Sequence, residues 1–251
     1  MKQKLLMSWS SGKDSAWALH QLQQNADYEV AGLFTTVNQA FERVAMHGVR
    51  TTLLQRQADA MGLPLEIIPL PWPCSNEDYQ QLMGNFVARA KAQGITAFGF
   101  GDLLLEDVRQ YREDRLANSG IEAVFPIWHS PTGSLPHNMI QHGMRAVITC
   151  LDPNKVPREF AGRELTAELL AQLPEGTDLS GENGEFHTFV FDGPMFKKQV
   201  AITPGDIVER DGFVFADFLP ARYTLNWLTR ARRCSARCCS SPMAASCCSA
   251  L

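Results

Sequence analysis

Residues 5–22 read LLMSWSSGKDSAWALHQL. An apolar run, Leu5–Leu6–Met7, gives way to Ser8-Trp9-Ser10-Ser11-Gly12-Lys13-Asp14-Ser15, and helical spacing of apolar residues (Ala18, Leu19, Leu22) begins at once. The run reads as a strand and the spacing as an amphipathic helix. Four serines, a glycine, a lysine and an aspartate in eight positions fit two readings. One is a polar turn. The other is an anion cradle, because a helix N-terminus presents unpaired N–H groups and a partial positive charge. In that reading Gly12 lets the backbone approach closely, the serine hydroxyls add donors and Lys13 adds a cation. The G-x-x-x-x-G-K-[ST] nucleotide loop is excluded, since its first glycine and spacing are missing.

Outward from this stretch, strands and helices alternate. Val30–Thr36, Leu65–Leu70, Thr96–Gly101, Glu122–Trp128 and Ala146–Leu151 read as strands. Asp14–Asn25, Thr51–Met61, Leu104–Leu116 and Pro136–Gly143 read as helices, as does the segment with Tyr79, Leu82, Met83, Phe86, Val87 and Ala90 on one face. Such alternation predicts an α/β fold, a parallel sheet flanked by helices. Ligands bind beyond the carboxyl ends of such strands, which draws attention to Ser10–Ser15, Thr35, Thr36, Gly101 and Asp102. After Asp152 the texture changes: a helix over Glu164–Leu173 precedes strand-like FHTFVFDGP, QVAITPGDIVE and GFVFADFLP. The expected organisation is a nucleotide-binding lobe over 1–152, a smaller mixed α/β acceptor lobe over 153–220 and a tail over 221–251.

A formal net charge of −4 gives no global field favouring nucleic acid or an anionic membrane. No apolar run approaches the roughly 20 residues of a membrane span. Three apolar residues after Met1-Lys2-Gln3-Lys4 are too few for a secretory signal, so a cytoplasmic location is expected. Of seven cysteines, Cys74 and Cys150 stand alone, while Cys234, Cys238, Cys239, Cys247 and Cys248 crowd into the tail ARRCSARCCSSPMAASCCSAL. A disulfide framework would spread pairs through the domain, and Cys-Cys neighbours without histidines or a repeated Cys-x-x-Cys make only a weak case for a zinc site. The tail's bias reads as a disordered extension or a shifted reading frame.

SSGKDS after a strand resembles the Ser-Gly-Gly-x-Asp-Ser loop of the N-type ATP pyrophosphatases, with Ser11 in place of the first glycine. A second stretch, GENGEFHTFVFDGPMF (Gly181–Phe196), resembles the second-lobe signature of the diphthine–ammonia ligase family within that group. AMGLPL (Ala60–Leu65), GDLLLEDVRQYRED (Gly101–Asp114) and FPIW (Phe125–Trp128) fall where that family has similar segments. The resemblance covers roughly residues 4–218 and leaves out the tail.

The resemblance implies a HUP-like first lobe and ATP-dependent adenylation of a carboxylate, releasing AMP and pyrophosphate, followed by attack of ammonia. Adenylation makes chemical sense because it replaces an oxide leaving group by AMP. No glutaminase module is evident, so free ammonium is the expected nitrogen source. ATP and Mg²⁺ are the implied cofactors. Ser10, Ser11, Gly12, Lys13, Asp14 and Ser15 would hold the phosphates, with Thr35, Thr36, Gly101 and Asp102 bordering the adenosine. Asp102 is alternatively a Mg²⁺ ligand or a helix cap. Lys13, Asp14, Glu182, Glu185 and His187 are the implied catalytic groups. In a β segment Glu185 and His187 would share a face, though a solvated hairpin gives the same pattern. The acceptor, a protein or a small molecule, is not named by the residues. The loop TTVNQAFERVAMHGVR looks closer to a bacterial branch of the family than to the ligase proper. A homodimer is a family-level expectation.

Weaker features carry bland readings. Arg109, Arg112 and Arg115, interleaved with Glu113 and Asp114, read as a solvated, salt-bridged face rather than an anion site. His47 and Arg50 belong to a loop that either closes over ATP or is simply a loop. His129, His137 and His142 read as surface or loop histidines. Two rivals to the ligase reading are adenylation of a tRNA base and a non-catalytic ATP or AMP sensor.

Overall fold

The computed structural model describes residues 2–40, 43–44 and 48–221; His47 and the cysteine-rich tail lie outside these. In chain order the elements are β1 (Gln3–Ser8), α1 (Lys13–Gln24), β2 (Tyr28–Asn38), β3 (Arg43–Val44), α2 (Thr51–Met61), β4 (Leu65–Leu70), α3 (Asn76–Ala92) and β5 (Ala97–Gly99). They continue with α4 (Glu106–Leu116), β6 (Glu122–Val124), α5 (Leu135–Gln141), β7 (Arg145–Leu151), α6 (Ala167–Leu170), β8 (Phe186–Asp192), β9 (Ile202–Arg210) and β10 (Phe213–Pro220).

β1, β2, β4, β5 and β6 pair in parallel in the spatial order β4–β2–β1–β5–β6, and β3 adds a short antiparallel pairing to the end of β2. Side chains alternate through this sheet. Leu5, Met7, Leu33 and Ala97 enter one core with α1 and α2, whereas Leu6, Phe34 and Phe98 enter another with α3 and α4. The chain leaves β1 for β2 on one side and returns to β5 on the other. That reversal opens a crevice beyond the end of β1, where sheets of this kind take ligands.

The second sheet is antiparallel, in the order β8–β7–β10–β9. Val147, Phe189, Val190, Val214 and Phe218 from it join the α1/α2 core, so both sheets share one body, Met1–Pro220.

The alternating elements stand where the sequence places them, with three differences. Ala146–Leu151, expected to continue the α/β alternation, is β7 and pairs with β8 and β10, so the crossing to the second sheet precedes residue 152. The helix expected over Glu164–Leu173 shortens to α6, started by Thr166 Oγ1 accepting from Leu169 N–H at 3.2 Å. The strands expected over Thr96–Gly101 and Glu122–Trp128 stop at Gly99 and Val124. α3 begins at a reciprocal Ser75–Asp78 capping box. Of its apolar face, Phe86 and Ala90 are buried, while Tyr79, Met83 and Val87 are part-buried and line a cavity.

Candidate functional site

Ser10–Ser15 bridge β1 and α1. Gly12 is the N-cap of α1, in extended conformation. Ser10 Oγ accepts from Gly12 N–H at 3.3 Å and lies 3.0 Å from Ser15 Oγ, whose hydroxyl donates to Gly12 O at 3.0 Å. Ser11 is wholly buried at φ 74°, in the left-handed region, and its Oγ has no hydrogen-bond partner. This is the position where the Ser-Gly-Gly-x-Asp-Ser pattern has glycine, the residue that adopts such a φ without penalty.

Lys13 is only 3% exposed. Its ammonium donates to both Asp14 carboxylate oxygens at 2.8 Å and to the carbonyl of Ser180, and sits 5.9 Å from the Phe186 ring centre. Gly101 packs on the same turn. A Cβ there would come within 2.8 Å of Ser15 N and 2.9 Å of Asp14 C, so only glycine lets the segment after β5 approach α1 this closely.

The second sheet reaches this loop through β8. Thr188 Oγ1 accepts from Lys13 N–H at 3.1 Å, and Val190 N–H donates to Ser11 O at 3.0 Å. Gln57 of α2, fully buried, accepts from Trp9 Nε1 at 2.8 Å and donates from Nε2 to Ser11 O and Val190 O. Gln57 is marked by no motif, and Thr188 lies within the Gly181–Phe196 signature without being singled out there. A glutamine among Leu53, Leu54, Ala58 and Met61 on the buried face of α2 was the available signal.

Residues 178–187 form the other half. Gly181 takes φ 75° with its α-carbon against Phe186 O, where a Cβ would lie at 2.8 Å. Glu185 is 3% exposed, and its carboxylate accepts from Asp178 N–H, Asn183 N–H and Asn183 Nδ2 at 2.9–3.1 Å. It therefore precedes β8 and builds its own loop, rather than sharing a strand face with His187. His187, on β8, lines the main cavity, and burial, then the Lys13 charge, lowers its pKa from the usual 6.5. Burial first, then the charge of Asp14, pushes the Glu182 carboxyl up to about 7, against an opposing pull from Lys13.

The cavity, about 880 Å³, runs from Ser10, Thr35, Thr36 and His187 along the sheet between α3 and α4. Phe34, Phe98, Phe100, Tyr79 and Tyr111 give it aromatic walls. Its volume and apolar character suit a small organic ligand. Arg112 and Arg115 line it too: the arginine face is salt-bridged and Arg115 is exposed, as expected, but the face also borders the cavity. Arg112 donates to both oxygens of Asp102 and stacks 4.5 Å over Phe100, and Arg115 stacks 5.1 Å over Tyr111. Arg109 pairs with Glu113 at 2.8 Å and lies over Phe125 and Trp128.

Asp102 is not a helix cap, because α4 starts at Glu106 with Leu105 before it. Both its oxygens are taken by Arg112, a poor arrangement for a lone Mg²⁺ ligand. Among the described residues, no group of three or more His, Cys, Asp or Glu side chains gathers as a metal centre. Arg50 is held by Asp217 of β10. His142 Nδ1 lies 2.8 Å from Asn138 O and its ring packs edge-on against Trp17.

Two sheets joined at a serine-rich strand-to-helix turn, with a cavity at the strand-order reversal, define an α/β protein with a composite ligand site. The chain belongs to the diphthamide synthase family: the model of that family's N-terminal domain matches residues 1–122 and that of its C-terminal domain residues 132–216. It is an enzyme of the ligase kind. Proteins named diphthine–ammonia ligase are similar to it. The one from Danio rerio is 27% identical over 187 residues, spanning 66% of this chain and 71% of the relative. The one from Bos taurus is 23% identical over 185 residues, spanning 66% and 68%. The one from Homo sapiens is 24% identical over 157 residues, spanning 59% and 56%. No helix among the described residues is long and apolar enough to cross a membrane.

Proposed function

We propose that this enzyme uses ATP to adenylate a carboxylate acceptor, releasing pyrophosphate, and that ammonia then displaces AMP to give an amide. The observation that carries this reading is the joining of the two halves. β8 is bonded to the Ser10–Ser15 loop through Thr188 and Val190, and Lys13 bonds to Ser180, so the phosphate-type loop and the Glu182/His187 segment form one site.

In this reading Ser10, Ser11, Gly12, Lys13, Asp14 and Ser15 bind the ATP phosphates. Lys13 exchanges Asp14 and Ser180 for phosphate oxygens, and the N-terminus of α1 adds its partial charge. Thr35, Thr36, Gly101 and the aromatic walls border the adenosine, with Asp102 fixing Arg112 beside it. Mg²⁺ would arrive on the phosphates, beside Asp14 of the loop and Glu182, whose carboxyl feels the charge of Asp14, and would neutralise phosphate charge. Glu182, held near 7, and neutral His187 are suited to accept the proton shed by the attacking ammonium nitrogen. Glu185 acts on the reaction through the loop it braces. The acceptor is diphthine or a different carboxylate, and the same reading puts the enzyme in the cytoplasm.

The tRNA rival would bring a basic surface, sulfur-carrying cysteines near the site or an RNA module; the net charge is −4, and of the cysteines among the described residues neither Cys74 nor Cys150 lines the cavity, burial pushing the Cys150 thiol up to about 12. The sensor rival leaves the joined Glu182/His187 segment without a task. The test is to incubate the protein with ATP, Mg²⁺, ammonium and a panel of carboxylate acceptors. AMP and pyrophosphate are expected; ADP and orthophosphate would overturn adenylation. ATP binding with no turnover on any acceptor would favour the sensor.

A further inference from the structure

Gln57 lies mid-helix in α2, has no exposed surface and is not among the groups that touch ATP in the reading above. Its carbonyl accepts from Trp9 Nε1 at 2.8 Å, and its amide nitrogen donates to Ser11 O at 3.1 Å and Val190 O at 2.6 Å. Both amide hydrogens and the carbonyl are therefore used. The three partners are the end of β1, the middle of the serine-rich loop and the strand that carries His187 and Thr188.

The Ser11 carbonyl is the informative one. It accepts from both Gln57 and Val190 N–H, while Ser11 itself holds a left-handed φ of 74°. Such a conformation persists in a non-glycine residue only when its surroundings fix it. In a planar trans peptide the C=O and the following N–H point in opposite directions. Drawing Ser11 O inward therefore turns Gly12 N–H outward, to the side where Ser10 Oγ receives it. That face of the loop is the one on which a phosphate oxygen would compete for the same hydrogen.

We propose that Gln57 is a positioning residue for this loop: it sets the Ser11–Gly12 peptide and keeps the loop in register with β8. The proposal rests on the reading of Ser10–Ser15 as an ATP-binding loop. A purely structural glutamine would cost stability on removal but leave nucleotide affinity alone.

The experiment titrates Mg·ATP into wild type, Gln57→Met, Gln57→Glu and Leu54→Ala. Leu54 is a fully buried apolar residue one turn away in α2, and its truncation destabilises without removing a hydrogen bond. Both Gln57 variants are expected to weaken ATP binding at least tenfold, and Leu54→Ala less than twofold. In Gln57→Glu the loss should shrink, relative to wild type at each pH, as acid protonates the new carboxyl and restores one donor. Amide hydrogen exchange at Gly12 and Val190, without nucleotide, should quicken in Gln57→Glu but not in Leu54→Ala. Wild-type affinity in Gln57→Glu at neutral pH, or equal effects from Leu54→Ala, would overturn the proposal. If Gln57→Met does not fold, the Gln57→Glu series decides. If wild type binds no ATP, the nucleotide reading falls, and the exchange rates still judge Gln57.

Discussion

Thr188 Oγ1 accepts the backbone N–H of Lys13 at 3.1 Å, joining residues 175 positions apart. α1 cannot bond that N–H internally, because the first turn of a helix has no preceding carbonyls. A threonine on a neighbouring strand does so instead. Thr188→Val keeps the shape and removes the acceptor, leaving a buried donor unpaired. Chemical denaturation should show a loss of about 1–3 kcal/mol, with Thr188→Ser recovering part of it. A valine variant as stable as wild type would contradict this role.

Ser11 holds φ 74° with an unpartnered, buried hydroxyl. Ser11→Gly relieves both the backbone penalty and the unpaired oxygen, against the greater freedom of glycine in the unfolded chain and a small loss of packing. The net expectation is a gain of about 1 kcal/mol, read as a higher thermal midpoint. An unchanged or lower midpoint would show that the serine fits its place better than its geometry implies.

Glu182 has a folded value of about 7 against an ordinary 4.5. Between about pH 4.5 and 7 the folded protein keeps a proton that the unfolded chain has released. Its contribution to stability is complete below 4.5 and is lost as pH rises through 7. His187 works in the opposite sense. Its folded value lies below 6.5, so its contribution is present above 6.5 and is lost as pH falls through the folded value. Guanidinium midpoints across pH 4.5–8 should separate wild type from Glu182→Gln increasingly toward neutrality, the glutamine variant being the flatter. Parallel curves would mean that Glu182 titrates normally.

Gly101→Ala places a Cβ within 2.9 Å of the backbone of Asp14 and Ser15. Backbone cannot swing aside as a flexible side chain can, so β5 and the first turn of α1 must separate. A destabilisation of about 1–3 kcal/mol is expected, together with weaker ATP binding, because the displaced turn is the one that presents Lys13. Thermal denaturation and ATP titration on the same variant check both. Stability and affinity both at wild-type levels would show that the close approach is unnecessary.

The parallel half of the fold was readable because its signals are local. Leu5–Met7, Leu65–Leu70 and Thr51–Met61 each carry their own period, and the structure forms them with shifts of only a residue or two, or none. Ala146–Leu151 shows the limit. A fully apolar strand reads alike in a parallel or antiparallel sheet, and its partners, β8 and β10, come later in the chain. The loop residues of the site were equally visible, but the state of their side chains was not. Glu185 and His187 look equivalent two positions apart, yet one carboxylate is consumed by N–H groups of its own loop while the other side chain lines the cavity. Arg112 looked like part of a charged surface until its place beside Asp102 and Phe100 was known. Such distinctions depend on tertiary neighbours, which no spacing rule encodes.

β10 lies between β7 and β9 in the second sheet although it is the last strand in the described chain. A strand that follows its neighbours in the chain but is seated between them leaves this four-stranded sheet incomplete until it is made. The parallel half needs only residues up to Val124, whereas β7 cannot gain its second neighbour until Phe213–Pro220 have emerged. The loop at Ser10–Ser15, for its part, takes its bond from Thr188 only after 175 further residues have been made.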